Sequence, residues 1–295
     1  MKNVLFSLAT LALLSFVTAC KGEDKAGGSA GGQPSASAKP AAGGTLTIKG
    51  SDTMVILGQR WAEAFMKQHP DMRVQVTGGG SGTGIAALLN GTTEIAMSSR
   101  AIKPAEAQQV QTRHKAQAKE TAVARDGVTF YVNEANPVKS LTMEQLRSIY
   151  LGDTKNWKEV GGPDAPIAVY SRENSSGTYV FVKEIVLGGE DFAAEALTLP
   201  GTAAVVNAVA KETHGIGYGG AAYGKGIREL PVRANNEDVA PSQENIQSGK
   251  YPLSRDLFFY TRGEPSGTAK AFMDFALSPE GQAVVTQVGY FPVKK

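Results

Sequence analysis

The stretch Arg73-Val74-Gln75-Val76-Thr77-Gly78-Gly79-Gly80-Ser81-Gly82-Thr83-Gly84-Ile85-Ala86-Ala87-Leu88-Leu89 joins two periodicities. Residues 73–77 alternate apolar with polar and predict a strand, whereas 85–89 form an apolar run that predicts the first turns of a helix. A glycine-rich turn from strand to helix presents backbone N–H groups at the positive end of the helix dipole, which suits an anion. The same turn also reads simply as a flexible link closed by a Ser or Thr helix cap. The flanking sequence has to decide between the two.

Before this stretch, Thr45-Leu46-Thr47-Ile48-Lys49 alternates as a strand, and Met54, Leu57, Trp61 and Phe65 follow at helical spacing until Pro70. After it, a helix to about Asn90 leads to a short strand, 94–97, that ends in Ser98-Ser99-Arg100. This strand–helix order predicts an α/β fold with a mainly parallel sheet, in which ligands bind beyond the carboxyl ends of strands. The stretches 50–53, 78–84 and 98–100 all lie at such ends. A helix from Pro104 to about Lys119 and two short strands, 122–124 and 128–132, come next. Asn136-Pro137 then breaks the pattern as a plausible domain crossing. The alternation restarts with a helix over 142–150 and a strand over 166–170. Ser171 to Thr178 leads into a helix over 179–187, and 202–211 reads as helix, 215–218 and 257–261 as strands. Two helices, from Ser266 and from Pro279, close the chain.

The triplet Ser-Gly-Thr recurs at 81–83, 176–178 and 266–268, each time before a helical segment. Helix capping explains the last copy, where Pro265 precedes and no cationic side chain is adjacent in the turn. Beside the second copy stands Arg172, whose fixed guanidinium fork together with hydroxyls and helix N–H groups makes a receptor for a tetrahedral oxyanion.

At the N-terminus Lys2 precedes an apolar run from Val4 to Val17, the signature of a secretory signal over residues 1–19 that is too short to span a bilayer comfortably. Cys20 is the only cysteine, so no intrachain disulfide can form. Val17-Thr18-Ala19-Cys20 resembles the lipobox of bacterial lipoproteins, which implies a lipidated Cys20 as the mature N-terminus. Gly, Ala, Ser, Pro and Lys fill the tether, residues 20–44, with almost nothing to bury. Across the 295 residues, 30 Lys and Arg balance 28 Asp and Glu, so no nucleic-acid partner and no polybasic membrane surface is indicated.

Catalytic readings find little support. The spacing of 78–84 fits neither Gly-x-Gly-x-x-Gly nor a P-loop, and Thr83 occupies the last position that Gly-x-Ser-x-Gly requires. His69, His114 and His214 read as surface residues and lack metal-ligand spacing, so no metal and no cofactor is expected. Ser176 without an evident histidine partner is a poor nucleophile.

From about Thr45 to the C-terminus the chain resembles the phosphate-binding proteins of bacterial ABC phosphate importers. The resemblance rests on Gly50-Ser51-Asp52-Thr53-Met54, the loop 78–84, Ser98-Ser99-Arg100, Arg172 through Thr178, Gly215-Ile216-Gly217-Tyr218, Ser278-Pro279-Glu280-Gly281-Gln282 and Gly289-Tyr290-Phe291-Pro292. It implies a two-lobed periplasmic binding protein fold of type II, with lobe I at 45–133 plus 255–295 and lobe II at 134–254. The chain would cross between lobes near Asn133 and near Arg255. Inorganic phosphate would be held by Thr53, the backbone of Met54, Ser81, Arg172, Ser176, Gly177 and Thr178, with Ser99 and Arg100 added from the third strand end. The resemblance further implies a monomer, anchored through Cys20 in the cell envelope, that delivers phosphate to the permease of an ABC transporter and catalyses nothing. Sulfate or molybdate is the alternative ligand, and a phosphate-ester-processing enzyme the alternative class.

Where the family can place an Asp at the end of the third strand, this chain has Ser99. That position matters because phosphate at neutral pH carries a proton and sulfate does not. A carboxylate acceptor accommodates the first and repels the second. Asp52 is the expected replacement acceptor, and an N-cap role is its other reading. Arg100 has two readings as well, a contact with the anion or an ion pair with an acid.

Overall fold

The computed structural model describes residues 44–293. The expectations for the leader, Cys20 and nearly all of the tether lie outside the described residues. The fold is α/β and two-lobed, with one long mixed sheet running through both lobes. Its strand order is Arg73–Thr77, Thr45–Gly50, Ile95–Ser98, Ser254–Arg262, Ala118–Val132, Gly215–Gly220, Ala168–Arg172 and Leu197–Leu199. The first three strands are mutually parallel, as are the last three. Between them, Ser254–Arg262 and Ala118–Val132 run antiparallel to each other and to their outer neighbours.

Two separate cores make the lobes. Leu46, Ile48, Trp61, Phe65, Met97, Leu257, Phe259 and Phe272 pack into one. Phe130, Tyr150, Trp157, Val182, Ile216 and Tyr218 pack into the other. At roughly 2 kcal/mol for each fully buried large apolar side chain, each core has its own source of cohesion. The contact between lobes is therefore free to be polar. Trp61 Nε1 donates to Gly281 O at 2.7 Å, fastening the closing helix Pro279–Val288 onto the first core.

Several elements differ from the sequence expectation. The two short strands at 122–124 and 128–132 are one strand of 15 residues, Ala118–Val132. The gap expected between them spans Asp126-Gly127, where a buried carboxylate in a strand is expensive without a partner. Here Asp126 has one, in register on the adjacent strand: Arg255. The helix before it, Pro104–His114, stops short of Lys119 because Lys115 turns left-handed at φ 55°. Inside the long strand Val123 and Ala124 belong to the first core and Val128 to the second. The chain thus changes lobe at Asp126-Gly127, upstream of Asn133. It changes back between Leu253 and Leu257, with Arg255 in the middle. A third link is Phe291, which seats in the second core while its backbone bridges Arg125 at 2.7 and 3.0 Å. Among the described residues no helix is long and apolar enough to cross a membrane.

Candidate functional site

The glycine-rich stretch folds as its two periodicities demand, a strand Arg73–Thr77 and a helix Ser81–Asn90. Gly80 occupies the N-cap at φ 92°, a conformation that side chains rarely adopt, and a Cβ there would lie 2.5 Å from Ser175 O. Ser81 therefore does not cap the helix. Its hydroxyl is buried and accepts from the Ser99 amide at 3.0 Å, with Ser99 Oγ 3.3 Å away. Ser51 Oγ donates to Ser99 Oγ at 2.9 Å, so the first strand end joins the third. Beside them a single 3-10 turn, Asp52–Met54, buries Thr53, and the Met54 amide closes that turn on Ser51 O at 3.0 Å.

The second lobe meets this cluster with the start of the helix Gly177–Ile185. Ser176 is its N-cap, and its Oγ accepts from the Tyr179 amide at 3.2 Å. The first N–H groups of such a helix have no intrahelical acceptor. Thr178 Oγ1 lies 2.9 Å from Thr53 Oγ1, and the Gly82 amide donates to Ser175 O at 2.9 Å. Gly177 makes this approach possible, because a Cβ on it would lie 2.3 Å from Ser81 Oγ and 2.7 Å from Ser99 Oγ. Ser99 and Ser81 from one lobe and Gly177 and Thr178 from the other thus occupy one spot.

Arg172 ends the strand Ala168–Arg172 and is 1% exposed. Its guanidinium donates to Asp52 Oδ2 at 2.7 Å, to Thr202 Oγ1 at 3.0 Å and to Glu173 Oε2 at 3.0 Å. Asp52 accepts from the Gly79 amide through Oδ1 at 2.8 Å, and Tyr223 donates its hydroxyl to Asp52 O at 2.8 Å. Burial, reinforced by the Asp52 charge, pushes the Tyr223 phenol upward, so it stays a donor at neutral pH. Asp52 bridges the glycine loop to the arginine of the other lobe. The N-cap reading fails, since it bonds across to residue 79 rather than into its own turn.

Arg100 is a correction to the expected set. Its Nη1 and Nη2 clasp Glu106 at 2.8 and 2.7 Å, and Nη1 also donates to Ala101 O at 2.9 Å. Burial tends to raise the Glu106 carboxyl, but its bonds to Arg100 and the Lys103 amide prevail and hold it below its ordinary value. The guanidinium serves an ion pair within the first lobe.

Besides Tyr223, three participants were not singled out in the sequence as part of the site. Thr202 starts the helix Gly201–Lys211 and receives Arg172. Arg255 and Asp126 form a buried ion pair at the junction, Nε and Nη2 donating to Asp126 Oδ2 at 3.0 and 2.8 Å. Burial pushes the Asp126 carboxyl up and the Arg255 charge pulls it back. The one available signal was Arg255 near the second expected crossing, and its partner Asp126 emerges only once the strands are in register. Among the described residues no group of three or more His, Cys, Asp or Glu is placed to hold a metal ion.

Comparison with known proteins agrees with this architecture. Residues 35–280 match the model of the PBP superfamily domain. A protein of Bacillus subtilis named phosphate-binding protein PstS is 35% identical over 296 residues, covering 99% of this chain and 94% of its own. The like-named protein of Pseudomonas aeruginosa is 32% identical over 269 residues, 85% of this chain and 83% of its own. Among solved structures, a substrate-binding protein of Clostridium perfringens assigned to a phosphate ABC transporter, with phosphate bound, superposes with a TM-score of 0.79 at 33% identity. It covers 85% of this chain and 100% of that one. An ABC-type phosphate transport receptor of Vibrio cholerae gives 0.69 at 32% identity, covering 84% and 100%. Sequence, two-core architecture and these relatives together place the chain in the PBP superfamily and, within it, in the family of the phosphate-binding proteins PstS.

Proposed function

We propose that the protein binds inorganic phosphate between its lobes and delivers it to the permease of an ABC importer. The ligand set would be Thr53, Ser81 and Ser99 from the first lobe and Arg172, Ser176, Gly177 and Thr178 from the second; the Met54 amide, which donates to Ser51 O here, would join it only on leaving that bond. The observation that carries this reading is a fully buried Arg172 that meets Asp52 across the lobes, beside a cluster of Thr53, Ser81, Ser99 and Thr178 hydroxyls drawn from both lobes. Such neutral donors stabilise an anion with little reorganisation, and closure about Gly127 and Arg255 would exclude water from it. Nothing in the arrangement supplies a nucleophile with a base, so we read it as a binding protein rather than an enzyme. Asp52 is the proposed acceptor for the phosphate proton. The lipidated Cys20, a single-copy state and a position outside the cytoplasm complete the proposal, resting on the leader and lipobox of the sequence.

Calorimetric titration with phosphate, sulfate and molybdate tests it. Phosphate should bind far more tightly than the other two. Sulfate or molybdate binding as tightly would favour a general oxyanion receptor, a reading to which Ser99 in place of a carboxylate gives some footing. Phosphate failing to bind would end the proposal.

A further inference from the structure

Arg255 and Asp126 face each other in register on the two strands that pass between the lobes, and Asp126 is 0% exposed. The side chains of the pair reach four other places. Asp126 Oδ1 accepts from the Ala221 amide at 3.1 Å. Arg255 Nη1 donates to Ser99 O at 3.1 Å, in the first lobe, and Nη2 donates to Thr178 Oγ1 at 3.0 Å, on the helix of the second. The Phe181 ring lies under the guanidinium, 5.4 Å from Cζ to centroid.

A buried ion pair is a weak device for stability, because desolvating two charges cancels most of their attraction. Its position suggests a different use. A guanidinium has donors only, so Thr178 Oγ1 has to accept from it. The single hydroxyl hydrogen of Thr178 is then free to donate in another direction, where Thr53 Oγ1 stands at 2.9 Å. An anion meeting Thr178 would find a hydroxyl already turned to donate. The Ser81 hydroxyl is prepared the same way, since it accepts from the Ser99 amide.

We infer that Arg255, held by Asp126, is a positioning residue for phosphate binding: it orients the Thr178 hydroxyl as a donor and ties it to the backbone of Ser99 across the junction. This rests on the reading that Thr178 touches phosphate. With Arg255 in place the two halves of the site share one register when the lobes are closed.

The test is a double-mutant cycle on phosphate affinity, with ligand-free melting measured alongside. Thr178→Val should weaken binding about tenfold or more. Arg255→Lys keeps a cation opposite Asp126 but lacks the fork needed to reach Ser99 and Thr178 together, and should also weaken binding severalfold. Combined with Thr178→Val, Arg255→Lys should add little further loss, because it acts through Thr178. Losses that multiply, or wild-type affinity in Arg255→Lys, would overturn the inference. Should Arg255→Lys not fold, the neutral pair Arg255→Gln with Asp126→Asn is carried through the same cycle. Wild-type affinity in Thr178→Val would instead remove Thr178 from the phosphate set and the inference with it, while phosphate binding itself still stood.

Discussion

The Arg172 guanidinium meets the Asp52 carboxylate at 2.7 Å across a separation of 120 residues, joining a strand end of one lobe to the first turn of the other. The contact puts a negative charge beside the cation expected to hold phosphate. A protonated phosphate can share its hydrogen with that carboxylate, whereas sulfate faces it with repulsion alone.

Asp52→Asn should therefore lower the ratio of phosphate to sulfate affinity by about tenfold or more, since a partly buried carboxylate facing an oxyanion without a shared proton costs on the order of 1–2 kcal/mol. Competition calorimetry measures the ratio. An unchanged preference would reduce Asp52 to a tie between the Gly79 amide and Arg172.

Arg172→Ala removes the only side chain of the proposed set that carries a positive charge. Phosphate affinity should fall by at least an order of magnitude, about 1.4 kcal/mol or more. Near-wild-type affinity by calorimetry would rule Arg172 out as a ligand.

Gly177→Ala sets a methyl group where Ser81 Oγ stands 2.3 Å away, so the lobes have to part or the serines move. Each lobe keeps its own core, and alanine favours the helix by roughly 1 kcal/mol over glycine. The variant should melt at or near the wild-type temperature yet bind phosphate at least tenfold more weakly. Intact affinity would show that phosphate is held with the lobes further apart than here.

Glu229 supplies a pH dependence separate from the site. Burial, with a smaller push from Asp126, raises its carboxyl to about 7, against a hydrogen bond from Thr129. Between its ordinary value of 4.5 and about 7 the folded protein binds this proton and the unfolded chain does not. Its contribution is accordingly largest below that window and is lost as pH rises through it, by up to about 3 kcal/mol. Glu229→Gln should be more stable than the wild type above pH 7, the difference shrinking to nothing towards pH 4.5. Denaturant midpoints across that range measure it, and parallel curves for the two proteins would refute it.

Much of the architecture could be read from periodicity. The strand Arg73–Thr77 and the helix Ser81–Asn90 lie where alternation and apolar spacing put them, because one buried face imposes a period of two or of 3.6 residues. The sequence missed the small strands Arg228–Leu230, Val232–Ala234 and Glu237–Val239, which are three residues long and too short to show any period. Of the Ser-Gly-Thr triplets, the first two converge and the third does not. In that third copy Ser266 sits at the N-cap position without a side-chain cap bond. Local context set the third copy apart from the second, but the convergence of the first two appears only in the folded chain.

By itself the sequence determined the alternation of strands and helices and the glycine-rich entry to the second helix, and it singled out Arg172 as the candidate anion receptor. These follow from local covalent geometry and from which face of a segment is apolar. The tertiary structure alone decided that Asp126-Gly127 continues a strand, that Arg100 belongs to Glu106, and that Arg255 links Ser99 to Thr178. Each of these is a pairing of polar groups. Arg255 and Asp126 lie 129 residues apart, and the register that unites them arises only when the whole sheet assembles. A buried charge is tolerated wherever a partner arrives, and no local pattern records where that will be.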